Sequence, residues 1–425
     1  MIEATLAPHV AAQRLKILLN HRVTAAVRDG DWVEALQVTG PDGETVWACA
    51  PFFLDATEHG DVLPAAGAEY VIGAESADEH GEAHAPATAQ PANIQSFTVT
   101  FALSHHDGED HTIDRPATYE HWRTYRPEFW PGPLLGFLAP IPSTLEPYQR
   151  WLDPNPPGDP IDELTDPARN NGDRELWMFR RILAAGLHTP GSFSSDITLV
   201  NWPMNDYWLG PIVDTSEEEA AHHLHQARQL SLSLLYWLQT EAPRTDGGTG
   251  FPGLQLRGDV TGTTDGLAKA PYIRESRRIR ALHTITENHV AANVVKTLGK
   301  NPHHEDSVGI GSYRIDLHPT TGGDTYIDID SVPFEIPLGA LLPVRIRNLL
   351  PACKNAGTTH ISNGCLRLHP TEWNIGEASS LLAAFCLEHH TQPHHVHHHT
   401  TLRHQYTQLL NHEGIQHTWP HPPHP

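Results

Sequence analysis

Residues 51–61 read Pro-Phe-Phe-Leu-Asp-Ala-Thr-Glu-His-Gly-Asp, and this stretch decides which fold the chain adopts. An apolar run that ends in small and polar residues is typical of a buried strand whose carboxyl end faces a ligand. A second stretch of this kind, residues 348–357, reads Asn-Leu-Leu-Pro-Ala-Cys-Lys-Asn-Ala-Gly. We therefore expect two buried strands, far apart in the sequence, whose ends face a ligand.

The residues before the first of these strands predict a small antiparallel meander. Apolar and polar residues alternate over 22–28, 33–38 and 45–49, and Gly- and Asp-containing turns separate the three runs. At the start of the chain, the spacing of apolar residues over 3–19 predicts an amphipathic helix.

Other elements can be predicted further along the chain. Ser216 and Glu219 have the spacing of a capping box, and apolar residues recur at helical intervals up to Thr240, so we expect a helix over 216–240. A second helical stretch is expected over 279–298. Strands are expected over 95–103 and between 309 and 329.

Length and composition set the broad class of protein. The chain has 425 residues, 39% of them apolar, which is enough for two or three domain-sized units without disulfides or metals. No apolar run approaches the roughly 18 to 20 residues that a membrane span needs. We therefore expect a cytoplasmic protein that does not bind a membrane.

Charge and cysteine content exclude several classes of function. The net charge of -23 would repel a phosphate backbone, so nucleic acid is not an expected partner. The four cysteines form no C-x-x-C pair, which argues against an iron–sulfur cluster or a structural zinc site. The His-rich segment 394–399 lacks a carboxylate or cysteine to complete a defined site, and we predict no metal centre.

Four further runs give the sequence a specific resemblance. They read Tyr-Ile-Arg-Glu-Ser-Arg-Arg-Ile (272–279), Gly-Ser-Tyr-Arg-Ile-Asp-Leu-His (311–318), Ile-Pro-Leu-Gly-Ala-Leu-Leu-Pro (336–343) and Gly-Glu-Ala-Ser-Ser (376–380). With the two strand ends, their order resembles the FAD-dependent oxidoreductase family, which includes xanthan-lyase-associated proteins and is distantly similar to the flavin subunit of heterodisulfide reductase. The resemblance runs from about residue 3 to about residue 414.

The resemblance implies an α/β fold with FAD as the cofactor. We expect an incomplete glutathione-reductase-like FAD domain, made of a parallel sheet and a β-meander, with an inserted mixed α+β substrate domain. The implied domains are a partial FAD-binding domain with the meander (1–92), the inserted substrate or cap domain (93–330), the return to the FAD-binding domain (331–390) and a His- and Pro-rich helix and tail (391–425).

The chain departs from the family at its start. Family members normally begin with a strand, a G-x-G-x-x-G turn and a helix whose backbone N–H groups hold the pyrophosphate. The sequence begins beyond the position of that unit. We expect an N-terminally truncated chain or a diverged member that binds FAD less tightly.

The family pattern also assigns residues to the cofactor. At the first strand end it places four residues beside the flavin nucleotide, although a plain strand end with a glycine turn would also explain them: Asp55, Thr57, Gly60 and Asp61. It further places a helix N-terminus at Gly376 against the flavin ring, where its partial positive charge would stabilise a reduced anionic flavin. Asn374 is expected to cap that helix, and capping alone would equally explain it.

Two histidines and two arginines are the expected catalytic residues. His318 and His360 are the expected proton-transfer groups, because an unperturbed imidazole titrates near neutral pH. The family pattern implies that Arg274 or Arg277, near the return of the inserted domain, anchors an anionic substrate, although such a charge run is usually a solvated helix start with local ion pairs.

A substrate pocket is expected where aromatic and amide side chains mix. Four residues between 196 and 208 would stack on and hydrogen-bond a polar organic molecule such as a sugar: Asn201, Trp202, Asp206 and Tyr207. Core packing with a polar turn explains the same residues nearly as well.

Together these residues predict a flavoenzyme that transfers a hydride from a small organic substrate to FAD in a pocket between the flavin domain and the inserted domain. The alternative is a non-catalytic remnant of the family that binds a ligand or a partner. The sequence gives no indication of the oligomeric state.

Overall fold

The computed structural model describes residues 2–156, 172–299 and 303–419. The chain divides into two compact units. Unit 1 comprises Met1–Val71, Ser276–Tyr313 and Ser331–Pro425, and unit 2 comprises Ile72–Glu275 and Arg314–Asp330. The end of the expected tail, residues 420–425, lies outside the described residues.

Both units contain helices and strands, so the fold is mixed α/β. The helices are α1 (Ile2–Ala11), α2 (Val62–Ala65), α3 (Ala77–His80), α4 (Tyr119–Thr124), α5 (Leu176–Phe179), α6 (Glu217–Thr240), α7 (Gly258–Thr261), α8 (Glu287–Val290), α9 (Ala292–Leu298), α10 (His360–Leu366), α11 (His369–Glu388), α12 (Pro393–His398) and α13 (Thr400–His412). The strands are β1 (Arg22–Asp29), β2 (Trp32–Thr39), β3 (Thr45–Cys49), β4 (Phe53–Asp55), β5 (Tyr70–Val71), β6 (Phe97–Thr98), β7 (Phe101–His105), β8 (Leu138–Pro140), β9 (Pro147–Gln149), β10 (Arg181–Leu183), β11 (Ile197–Val200), β12 (Asp206–Tyr207), β13 (Leu254–Leu256), β14 (Arg278–Ile279), β15 (Ser307–Gly311), β16 (Ile315–Leu317), β17 (Ile327–Ile329), β18 (Phe334–Pro337) and β19 (Leu349–Pro351). None of the helices in the described ranges combines the length and apolar character that a membrane crossing requires.

Unit 1 contains the two buried strands predicted at the outset. β4 and β19 pair in parallel, with Phe53 opposite Leu349 and Asp55 opposite Pro351. The predicted meander is also confirmed, because β1, β2 and β3 form one antiparallel sheet. Asn348 joins the two features: its side chain accepts from the backbone N–H of Val33 (2.8 Å) and donates to the carbonyls of Val33 and Pro51. The amino ends of both strands are therefore fixed.

Two helix predictions in unit 1 are wrong in extent. The first helix ends at Ala11 rather than Leu19, and none of its residues is buried, so no tertiary packing extends it. The stretch 279–298 is not one helix: Ile279 pairs with Tyr70 in a strand, and the extended backbone at Ala291 separates α8 from α9.

Unit 2 is organised around an antiparallel sheet in the order β10-β11-β7-β13. The predicted long helix is confirmed as α6, and Ser216 and Glu219 form the reciprocal capping box. Its apolar face joins a core rich in aromatic rings, which includes Trp122, Trp177 and Trp202. The β16–β17 hairpin also belongs to unit 2.

Unit 1 also contains a histidine cluster, formed by His283, His289 and His304. Their ring centroids lie 5.2 to 6.1 Å apart. Burial lowers the pKa of His283 and of His304, and the Asp306 carboxylate only partly opposes this. The two imidazoles are therefore held in the neutral form.

This cluster makes stability depend on pH. The folded-state pKa of His283 and of His304 lies below the unfolded value. The stability that these two neutral imidazoles contribute to the folded protein is therefore fully present above about pH 6.5 and is lost as the pH falls. We expect the free energy of unfolding, measured in urea, to decrease steadily below that pH. The double variant His283→Gln/His304→Gln should show a shallower pH dependence. An unchanged slope in this variant would contradict the assignment.

Candidate functional site

The carboxyl ends of β4 and β19 open into a cavity of about 660 Å³, here called the strand-end pocket. Its walls are largely apolar and include Leu54, Ala56 and Ala352 from the two strand ends. α11 supplies the facing wall, where the indole of Trp373 is 67% exposed. Every residue that lines the cavity belongs to unit 1. The parallel pairing therefore creates a binding space where parallel strands usually have one.

The turn after β4 brings together the four residues predicted beside the cofactor. Asp55 is fully buried, and its Oδ1 accepts hydrogen bonds from the backbone N–H (3.0 Å) and the hydroxyl (2.6 Å) of Thr57. The Thr57 hydroxyl oxygen in turn accepts from the backbone N–H of Asp61 at 2.7 Å. The Oδ2 atom of Asp55 has no hydrogen-bond partner among the described residues, and burial raises the pKa of this carboxyl group.

Gly60 completes this turn. Its φ of +65° is in the left-handed region, and a Cβ atom there would lie 2.9 Å from the carbonyl oxygen of Arg277. The Arg277 guanidinium donates to the carbonyl of His59 (3.0 Å) and to the carboxylate of Asp61 (3.1 Å). Arg277 thus holds the turn after β4 in place.

α11 begins earlier than predicted. Its N-cap is Leu368, so Asn374 and Gly376 lie inside the helix, and the predictions that Asn374 caps it and that Gly376 marks its start are wrong. The Asn374 Oδ1 instead accepts from the backbone N–H of Ile310 at 2.7 Å. Gly376 lies against β19, where a Cβ atom would be 3.2 Å from the Ala352 carbonyl oxygen. Pro370 in the first turn was the sequence signal for the true start.

Sequence reasoning missed a buried lysine near this pocket. Lys354 is only 4% exposed, and its ammonium group pairs with the carboxylate of Glu58 and lies 3.8 Å from that of Glu372. Glu372 also lines the strand-end pocket. Lys354 lies within the second quoted stretch, but nothing in the local pattern distinguishes it from a surface lysine.

A second polar group lies in unit 2 and is here called the Asp206 cluster: Asp206, Arg274, His318 and Thr98. The carboxylate of Asp206 is buried, and its Oδ1 accepts from Arg274 Nη2 at 2.9 Å and from the Thr98 hydroxyl at 2.5 Å. Its Oδ2 lies 2.6 Å from the Nδ1 of His318. Burial opposes ionisation of Asp206, but the charge of Arg274 and the bond with His318 hold its pKa below the ordinary value.

The cluster changes the interpretation of three predicted residues. The sequence suggested separate roles for Asp206 in substrate binding, Arg274 in anchoring and His318 in proton transfer, whereas the structure brings all three together. The solvated-helix interpretation of the charge run around Arg274 is wrong, because Arg274, Glu275 and Arg278 are all buried.

The remaining predicted residues are Trp202, Tyr207, Asn201 and His360. Trp202 is buried in the aromatic core, and the buried Tyr207 bonds through its hydroxyl to the Nδ1 of His223 at 2.9 Å. Asn201 is half-buried beside Trp202. His360 is buried as the first residue of α10. No group of three or more His, Cys, Asp or Glu side chains in the described ranges is arranged to hold a metal ion.

Residues 1–408 match the family described as FAD dependent oxidoreductase. The chain belongs to this family. No curated protein and no solved structure gave a match.

Membership in the FAD dependent oxidoreductase family implies FAD as the cofactor, and the strand-end pocket fits only part of that molecule. Its apolar walls and exposed Trp373 suit a planar ring system. The pyrophosphate does not fit these residues, because the lining includes the carboxylates of Glu372, Glu377 and Glu413 and no Lys or Arg.

The letters of a dinucleotide-binding motif occur once, at Gly248–Gly253, which reads Gly-Thr-Gly-Phe-Pro-Gly. This segment follows helix α6 and precedes strand β13, whereas the motif requires a strand before it and a helix directly after it. It therefore does not supply a pyrophosphate site.

Proposed function

We propose that this member of the FAD dependent oxidoreductase family takes a hydride from a small polar organic substrate. The observation that supports this most is the strand-end pocket, which lies at the ends of β4 and β19 and has room for a flavin ring. The family match covers both strands that form it.

The chain's own residues would then have distinct tasks. Leu54 and Trp373 would contact the flavin ring, and the turn held by Arg277 fixes the end of β4. A flavin bound there supplies the hydride acceptor. When an alcohol carbon gives up its hydride, the hydroxyl must also lose a proton to a base.

Flavin binding tests this proposal. We expect the purified chain to quench the fluorescence of added FAD, and we expect Ala56→Trp, which fills the strand-end pocket, to weaken binding at least about tenfold (1.4 kcal/mol). Ala384→Trp is the matched control, because Ala384 is exposed on α11 outside the lining of that pocket. Equal binding by both variants would place the flavin elsewhere. A folded chain that does not bind FAD would overturn the proposed function.

A second candidate is a ligand-binding protein of the same family without redox turnover. The three carboxylates that line the pocket favour it, because they would weaken the hold on a charged dinucleotide. Anaerobic mixing of the FAD-loaded chain with a panel of sugars and small alcohols separates the two candidates. Bleaching of the flavin absorbance supports the oxidoreductase, and an unchanged spectrum with every compound supports the ligand-binding protein.

A further inference from the structure

Unit 1 contains another cavity, of about 540 Å³, which lies beside the strand-end pocket and is here called the adjoining cavity. Its walls come from the start of α11, from the end of β15 and from the segment after α13, and every lining residue belongs to unit 1. A ligand in this cavity would lie next to a ligand in the strand-end pocket, because four residues line both spaces: Trp373, Glu377, Glu413 and Ile415.

The first turns of α11 present hydrogen-bond donors to the adjoining cavity. Thr371 and Asn374 line it, although they are only 3% and 9% exposed. The Asn374 Oδ1 accepts from the backbone N–H of Ile310, but within the described ranges neither the Asn374 amide nitrogen nor the Thr371 hydroxyl has a hydrogen-bond partner. No side chain caps this end of the helix, whose partial positive charge also favours a ligand oxygen.

Other residues of the adjoining cavity supply acceptors and aromatic surfaces. Glu377 and Glu413 contribute carboxylate oxygens, and Trp373 and Trp419 contribute indole rings. The ring of Trp419 is held in place, because its Nε1–H donates to the carbonyl of Phe334 at 3.0 Å. A hydroxyl group both donates and accepts hydrogen bonds, and the C–H face of a sugar packs on an aromatic ring. A molecule with several hydroxyls therefore matches this combination.

The charge of the lining distinguishes between classes of sugar. The described residues around the adjoining cavity include two carboxylates and no Lys or Arg. These carboxylates would repel a sugar acid or a sugar phosphate, and the partial charge of one helix end does not cancel two full charges. The lining therefore suits a neutral ligand.

We propose that the adjoining cavity binds the substrate and that this substrate is a neutral sugar or polyol. The inference rests on the proposed function for the redox role of the bound molecule. The binding of the sugar itself depends only on residues of the adjoining cavity. Its buried donors, Thr371 and Asn374, would hold hydroxyl oxygens, while the carboxylates would accept from hydroxyl protons.

Sugar binding can be measured on the full chain without flavin. Saturation-transfer difference NMR detects binding of glucose, mannose and sorbitol, and each is compared with the corresponding acid: glucuronate, mannuronate and gluconate. We expect at least one neutral compound to bind with a Kd of about 1 mM or below, and we expect its acid to bind at least about tenfold more weakly. Failure of all three neutral compounds to bind, or equal binding of the acids, would overturn the proposal.

Substitutions locate the bound sugar. Thr371→Val removes the buried hydroxyl and should weaken binding about tenfold, whereas Thr371→Ser keeps the hydroxyl and is the matched control. Ser312→Trp should fill the adjoining cavity and abolish binding, since Ser312 lines it and is exposed, so that the larger side chain does not disturb a core. Ala384→Trp, outside the lining of both cavities, should bind normally. Undiminished binding by Thr371→Val and Ser312→Trp would contradict the assignment.

Ala56→Trp separates this inference from the proposed function. Ala56 lines the strand-end pocket but not the adjoining cavity, so the variant should lose FAD affinity and keep sugar affinity, and Ser312→Trp should do the reverse. FAD binding without sugar binding would overturn this inference alone. Sugar binding without FAD binding would overturn the proposed function and leave the sugar site in place. Loss of sugar binding in Ala56→Trp would place the sugar in the strand-end pocket and contradict the inference.

Discussion

Replacing Arg274 by methionine is expected to destabilise unit 2 by about 3–5 kcal/mol. The guanidinium is 3% exposed and is the cationic partner of the fully buried Asp206 carboxylate. Without it, the buried Asp206 carboxylate loses its arginine partner, and Thr98 and the Ser96 carbonyl lose a donor. Urea denaturation followed by tryptophan fluorescence measures this, because the core of unit 2 is rich in tryptophan.

Arg228→Met provides the matched control. Arg228 lies on α6 of the same unit and pairs with Asp265, but both side chains are partly exposed to solvent. A surface pair of this kind contributes at most about 1 kcal/mol. Asp206→Asn/Arg274→Met should recover part of the lost stability, since it removes both buried charges. Equal stability of Arg274→Met and Arg228→Met would show that the Asp206 cluster does not stabilise the fold.

The elements with local signals could be predicted from the sequence. α6 was predictable because Ser216, Glu219 and the helical repeat all lie within one segment. β4 and β19 were predictable because each has an apolar run that ends in small or polar residues. α1 was predicted too long, since periodicity shows a possible face but not whether anything covers it.

The sequence predicts individual residues of the candidate site, but not which of them are in contact. His318 is predicted from the chemistry of its imidazole, Arg274 from its position in the family pattern, and Asp206 from its place among aromatic residues. Their contact depends on the β12–β6 pair and on the chain's return through the β16–β17 hairpin. Antiparallel pairing of two-residue strands leaves no periodic pattern, so the sequence does not indicate which of its many histidines meets Asp206.

The position of α11 shows that a family resemblance can mislead where a local sequence signal is correct. The family resemblance implied that the helix starts at Gly376. Pro370, which favours the first turn of a helix, lies six residues earlier and marks the observed start. The glycine instead permits close packing of the helix against β19.

Trp202→Ala is expected to lower the free energy of unfolding of unit 2 by about 3–5 kcal/mol, because it removes a large side chain from a close-packed core. Trp202 was predicted to bind substrate, yet it is 1% exposed. Trp202→Phe should cost less than Trp202→Ala, since it keeps an aromatic ring and the indole N–H has no hydrogen-bond partner among the described residues.

Trp373→Ala distinguishes a packing role from a binding role. Trp373 is exposed on the wall of the strand-end pocket, so its removal should leave stability nearly unchanged and weaken FAD binding. Trp202→Ala should show the reverse pattern: a large loss in urea denaturation, with unchanged FAD affinity for the fraction that remains folded. If Trp202→Ala instead kept its stability and raised KM for a substrate, Trp202 would be a substrate contact and the core assignment would be wrong. The contrast is decisive because the same substitution is made at two tryptophans that differ mainly in burial.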